Sequence, residues 1–204
     1  MAEPDALLVI QTRNFWAYSV PFDTNNALPL DTVDFGEDWG TVSGMPEPWA
    51  LQGYTDGGLH FGTDITRTDV TVDQSLDPVL RPATARSATM SFNLAEVSPE
   101  KIQLSTGQGE ITSLAPIAGT KGHDDLDIGS TIEDVFVSLG FDIQTQSLEP
   151  LRFLGYRCQM SGTMAMDFTV DAKALVPVEA TLLPDTSVSP ARVAKIRQVI
   201  PALP

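Results

Sequence analysis

The run from Ala85 to Glu96 reads Ala-Arg-Ser-Ala-Thr-Met-Ser-Phe-Asn-Leu-Ala-Glu, and Ser98-Pro99-Glu100-Lys101-Ile102 follows at once. Strand side chains repeat every two residues, so Ala88, Met90, Phe92 and Leu94 fall on one side and Ser87, Thr89, Ser91 and Asn93 on the other. One face is core; the other is wet and uncharged. Ahead of this run, Asp69 to Val79 alternates as a second strand, leading into a loop in which Pro78 cannot continue a central ladder. Behind it, Ser98 caps a short helix with Pro99 at its first position.

Working outward, Ala6 to Gln11 and Phe15 to Phe22 read as opening strands. The stretch from Asp23 to Pro48 is a long loop with scattered acids, among them Asp31, Asp34, Glu37 and Asp38. Trp49 to Phe61 reads as a hairpin turning at Thr55-Asp56-Gly57-Gly58, whose glycines supply positive φ. Gly107 to Thr131 is loop-like. Val135 to Gln144 is a strong strand. In the next, Leu154, Tyr156, Cys158, Met160 and Met164 share one side while Gly155, Arg157, Gln159, Ser161 and Thr163 take the other. The last strand runs from Leu175 to Leu183. Six or more alternating strands and one or two short helices predict a mainly β, antiparallel sandwich or partly open barrel.

Residues 1–183 are expected to form one β domain, and 184–204 a separate basic and apolar arm. In that arm Ser189-Pro190 would cap a short helix with Val193, Ile196 and Ile200 on one side, and from Ser189 onward the only charges are Arg192, Lys195 and Arg197. Such a piece docks either on a neighbouring copy or on its own domain.

With 12 Lys+Arg against 27 Asp+Glu, the 204-residue chain has a formal charge of −15, which disfavours nonspecific attraction to phosphate backbones or anionic lipids. Its 42% apolar content and 19% charged content fit a folded domain with a real core. One cysteine, Cys158, allows no internal disulfide, and the N-terminal residues lack the pattern of a secretory signal, so synthesis in a reducing cytoplasm is expected. No window reaches the roughly 20 apolar residues that span a bilayer.

Catalytic chemistry finds little purchase. Only His60 and His123 are available for metal or triad arrangements. His123-Asp124-Asp125 with Asp127 offers hard-cation ligands without the spacing of an EF-hand, and reads as a solvated loop. Gly107-Gln108-Gly109 lacks the third glycine of a nucleotide cradle. Cys158 sits among apolar strand positions as an inert thiol. The expectation is no enzyme, no cofactor and no metal. Trp16, Trp39 and Trp49 leave open a carbohydrate-binding β-sandwich, although core packing is the commoner use.

From Gly62 to Leu104, the order of strand, proline-bearing loop, strand and short helix resembles the tail tube (major tail) protein of long, non-contractile tailed bacteriophages. The resemblance implies a sandwich-like subunit that joins copies of itself into hexameric rings, which stack into a virion tail assembled in the host cytoplasm. It further implies a tape-measure protein inside the tube, other tail proteins at its ends, and DNA passing without specific binding or any membrane. A different tail or capsid protein is the alternative within the same class.

The residues agree for a physical reason. Sheets with one Ser/Thr/Asn/Gln face and open edges are satisfied when several subunits close one large barrel around a water-filled bore. Duplex DNA carries about one charge per 1.7 Å, screened over about 8 Å, so a cationic bore would hold it and a neutral or acidic one would let it slide. Arg67, Asp69, Asp73, Asp142, Arg157, Gln159 and Glu179 are the expected bore-facing set, the alternative being ordinary outer surface. The loop 74–84, with Leu76, Asp77, Pro78, Val79, Leu80 and Arg81, is expected to contact the next ring or to act as an intramolecular lid. Arm contacts are expected from Arg192, Val193, Lys195, Ile196 and Arg197.

Overall fold

Ala88, Met90, Phe92 and Leu94 are buried, as their alternation demands, on a strand that anchors the whole architecture. The computed structural model describes residues 14–22, 49–73, 77–129, 135–144, 150–187 and 189–198. In chain order its elements are β1 (Asn14–Pro21), β2 (Ala50–Leu51), β3 (Thr55–Arg67), β4 (Ala83–Leu94), α1 (Pro99–Thr106), β5 (Glu110–Leu114), β6 (His123–Asp127), β7 (Phe136–Gln144), β8 (Pro150–Met160), β9 (Val176–Leu183) and β10 (Ala194–Gln198). An eight-stranded sheet runs β2-β1-β7-β8-β9-β4-β3, with β10 also on β8, and β5 pairs with β6 apart from it. Every ladder is antiparallel. The fold is mainly β and sandwich-like, with its long sheet not closed into a barrel.

The sheet folds on itself at β8. Leu151 to Gly155 pair with β10, whereas Arg157 to Met160 pair with β9, and β7 lies along the other edge throughout. At the hand-over Val137 opposes Cys158 while Leu139 opposes Gly155, so β8 holds one residue more than β7. Such a bulge re-aims side chains and lets a strand turn a corner between sheets. Phe153 packs on the main core before the bulge; Cys158 and Met160 do so after it. Leu154 and Tyr156 instead join Val20 and Trp49 in a second cluster on the outer side. The single side expected for Leu154, Tyr156, Cys158 and Met160 is therefore split in two. Across the main core Phe92 of β4 meets Phe141 of β7 edge to face, their centroids 5.0 Å apart.

Other expectations change as well. Trp49 to Phe61 is not a hairpin: β2 pairs with β1, and Thr55 onward belongs to β3. Gly57 and Gly58 do adopt positive φ, at 79° and 76°, but they serve a register shift between Asp56 and His60 rather than a turn. The strand expected over Asp69 to Val79 ends at Arg67, leaving a lone bridge between Val70 and Leu80. Gly107 to Thr131 contains the β5–β6 ribbon, and the C-terminal stretch expected to be helical carries strand β10. The strand expected over Ala6 to Gln11 and the loop Asp23 to Pro48 lie outside the described residues.

The helix forms as the capping residues predict. The Ser98 side chain accepts from Lys101 N, and Gly107 closes the C-terminus at φ 63°, donating its N–H to Gln103 O at 2.8 Å. A side chain at Gly107 would meet Met160 Cβ at 2.9 Å. Ser105 Oγ donates to Pro177 O, fixing α1 against the start of β9.

Cys158 is fully buried, and burial pushes its thiol up to about 12, opposed by a backbone hydrogen bond from Leu139. The unfolded thiol ionises near its ordinary value of 9.0, so between these pH values the folded chain binds more protons. Stability must then fall as pH rises through that window, by up to about 1.4 kcal/mol per pH unit from this group. Urea unfolding of wild type and Cys158→Ala at pH 8 and pH 10 should show this extra alkaline loss in wild type alone. Equal losses would place the thiol in contact with water.

Candidate functional site

Residues directly opposite in neighbouring antiparallel strands point to the same side, so the register lays out the outer face of β3, β4, β9 and the end of β8. Gly62, Thr89, Thr181 and Gln159 form one row across it, and His60, Ser91 and Glu179 the next. Asp56, Asn93 and Pro177 form a third, with Asp56 held by Lys173 at 2.9 Å. Hydroxyls and amides dominate. Of the expected bore-facing set, Gln159 and Glu179 sit on this face.

The others are elsewhere. Asp142 and Arg152 oppose each other on β7 and β8, both 3% exposed in their side chains, joined by Arg152 Nε to Oδ1 at 2.6 Å and Nη2 to Oδ2 at 3.1 Å. Burial pushes the Asp142 carboxyl above its usual range, the Arg152 guanidinium opposing that, and both burial and Asp142 raise the Tyr18 phenol. A carboxylate this deep cannot line a bore. Arg157 stacks on the Phe136 ring at 4.0 Å and lies 5.6 Å from Phe22 on the same outer side of β7 and β8. Arg67, Asp69 and Asp73 belong to a projecting ribbon.

That ribbon is the outer half of β3 and β4. Every described residue from Thr63 to Ser87 is exposed, and burial begins only at Ala88. Arg67 Nη1 donates to Arg81 O at 3.3 Å, Asp69 and Arg81 pair at 2.5 Å, and Val70 bridges to Leu80. Ile65, Val70, Val72, Val79 and Leu80 are 41–61% exposed. Asp77, Pro78, Val79, Leu80 and Arg81 of the expected ring-contact loop thus lie at the tip; Leu76 is outside the described residues. The described tip residues are exposed rather than packed on the described part of the body.

At the other end, α1 and the ends of β1, β2 and β7 enclose a cavity of about 430 Å³. Pro21, Leu51, Leu104, Val135, Val137 and Met160 give it apolar walls. Lys101 Nζ donates to Gln52 Oε1 at 3.1 Å, and Gln52 Nε2 to Ser19 Oγ at 2.6 Å, forming a polar rim.

The C-terminal residues join their own sheet. Val193 and Ala194 pack on the main core, and Lys195, Ile196 and Arg197 lie on β10 beside β8. Arg192 reaches Asp185 at 3.3 Å and covers the Tyr156 ring at 3.8 Å. Of the two dockings open to the arm, its described part takes the intramolecular one. Trp49 is buried rather than presented to a sugar, Trp39 lies outside the described residues, and so does the Trp16 side chain. His123 sits 3.4 Å from Asp125, and no group of three metal-ligating side chains occurs among the described residues.

Sequence reasoning favoured charged residues and passed over Thr89, Ser91, Asn93 and Thr181 as candidates. The signal was present in the alternation of Ala85 to Glu96. No protein-family model matches the chain, and no curated protein is significantly similar to it.

Proposed function

We propose that this chain is a non-catalytic structural subunit of a tailed-phage virion, assembling head to tail into stacked hexameric rings that form the tube through which DNA leaves. The observation that carries the reading is the ribbon from Thr63 to Ser87, exposed on both faces with five apolar side chains in water. A lone monomer gains nothing from such an extension, whereas a neighbouring copy can cover it. The face bearing Thr89, Ser91, Thr181 and Gln159 supplies the bore, because its hydroxyls and amides, with Glu179 among them and Lys173 paired to Asp56, offer no cluster of cations to hold phosphates. A tape-measure protein within and distinct tail proteins at the ends are the remaining partners.

Negative-stain microscopy of the purified chain should reveal hollow rings or tubes. A persistent monomer at high concentration would overturn the reading. Thr89→Lys with Thr181→Lys, repeated in every copy, should leave tubes intact yet slow DNA release from virions, the delay shrinking steeply as salt rises. An unchanged release rate would remove this face from the bore.

A further inference from the structure

Asp56-Gly57 is the one place in the 204 residues where an aspartate precedes a glycine, and no asparagine precedes one. Without a Cβ on the second residue, its amide nitrogen is open to the aspartyl side chain. The fold adds room. Asp56 pairs with Asn93 and His60 with Ser91, so Gly57, Gly58 and Leu59 of β3 bulge opposite the single residue Phe92 of β4. Beyond its chain neighbours, a side chain at Gly57 would come no closer than 3.7 Å, to Asn93 Nδ2, and one at Gly58 would meet nothing within 4 Å. The Asp56 side chain is 40% exposed, and Lys173, from the connection between β8 and β9, holds its Oδ1 at 2.9 Å. Asp185-Thr186 makes the contrast. Asp185 is buried, its Oδ1 accepts from Ser187 N and Oγ and its Oδ2 from Arg192 Nε, and the residue after it is β-branched.

We infer that Asp56-Gly57 is a site of spontaneous backbone rearrangement, in which a succinimide forms and opens to isoaspartate, and that Lys173 restrains it. In the first step the Gly57 nitrogen bonds to Asp56 Cγ and gives up its proton, while one carboxyl oxygen leaves as water. Closing a five-membered ring within one residue pair replaces a bimolecular encounter. In the second step water adds to a ring carbonyl. Opening at the Asp56 main-chain carbonyl frees an α-carboxylate and leaves the chain running through Cβ and Cγ. The water lost first is regained, so the reaction needs no co-reactant. It takes place within a single chain and owes nothing to assembly. The extra methylene enters where β3 already holds more residues than β4. Lys173 restrains the ring closure because Oδ1 must leave the ammonium before Cγ can turn to the Gly57 nitrogen.

The purified chain, kept for several weeks at physiological temperature and neutral pH, is digested and its peptides fragmented by electron transfer. Isoaspartate at Asp56 should exceed that at any other aspartate among the described residues at least about tenfold. A protein isoaspartyl methyltransferase should methylate the same peptide, and Asp56→Glu, which would need a six-membered ring, should remove both signals. In the folded chain Lys173→Ala should speed the conversion about two- to fivefold, and Lys173→Arg should keep the slow rate. In urea, where the clasp is gone, all three chains should convert at one rate. Unchanged aspartate at Asp56, or isoaspartate spread evenly over the aspartates, overturns the site. Equal folded-state rates with and without Lys173 overturn its restraint.

Discussion

Asp142→Ala is expected to lower folding stability by about 3–5 kcal/mol, among the largest effects of any single substitution in this chain. The substitution leaves the Arg152 guanidinium 3% exposed and stripped of both hydrogen bonds to the carboxylate. Desolvation of that cation then loses its carboxylate counter-charge, which is the term that makes half of a buried pair so costly. Asp142→Leu combined with Arg152→Met removes both charges and refills the volume, and should recover most of the loss. Urea unfolding of the three chains measures this directly. A loss below about 1 kcal/mol for Asp142→Ala would mean that water reaches Arg152.

Excising Thr68 to Pro82 and joining Arg67 to Ala83 through Asn-Gly should abolish assembly while leaving the monomer intact. Arg67 and Ala83 already face each other across the ladder, and a two-residue Asn-Gly turn suits two antiparallel strands. The described residues removed are exposed, so monomer stability should change by no more than about 0.5 kcal/mol. Thermal unfolding checks the first half of that statement and microscopy the second. Tubes of normal length from the excised chain would strip the Thr63–Ser87 ribbon of its role and, with it, the observation that carries the proposed function.

Wherever alternation was strict, the strand was legible: Ala85 to Leu94, Val135 to Gln144 and Leu175 to Leu183 each emerge with the expected apolar side inside, except that Val135 lies ahead of β7 and is exposed. The helix start was legible too, since Ser98 and Pro99 act within one turn. What failed was pairing. Gly57 and Gly58 were read as a turn because positive φ serves turns and bulges alike, and the partner strand decides which. Ser189-Pro190 was read as a helix cap, yet the following residues found the free edge of β8, a partner far away in the chain.

The candidate site follows the same division. The polar side of β4 was visible in the sequence as a row of Ser, Thr and Asn, but joining it to Thr181 and Gln159 required the register of two further ladders. Asp142 and Arg157 looked like polar-face residues by parity, and parity was correct; the outer side of β7 and β8 turned out to be buried around Leu154, Tyr156 and the Arg152 pair.

By itself, then, the sequence determined the strictly alternating strands, where α1 begins, and a surplus of acid that disfavours attraction to phosphates. Only tertiary structure decided that β8 turns a corner at its bulge, that Asp142 is sealed against Arg152, and that the Thr63–Ser87 ribbon stands exposed. The physical reason is range. Alternation and capping are settled among side chains a few residues apart, whereas register, burial and the direction of a projecting ribbon depend on strands brought together from distant parts of the chain.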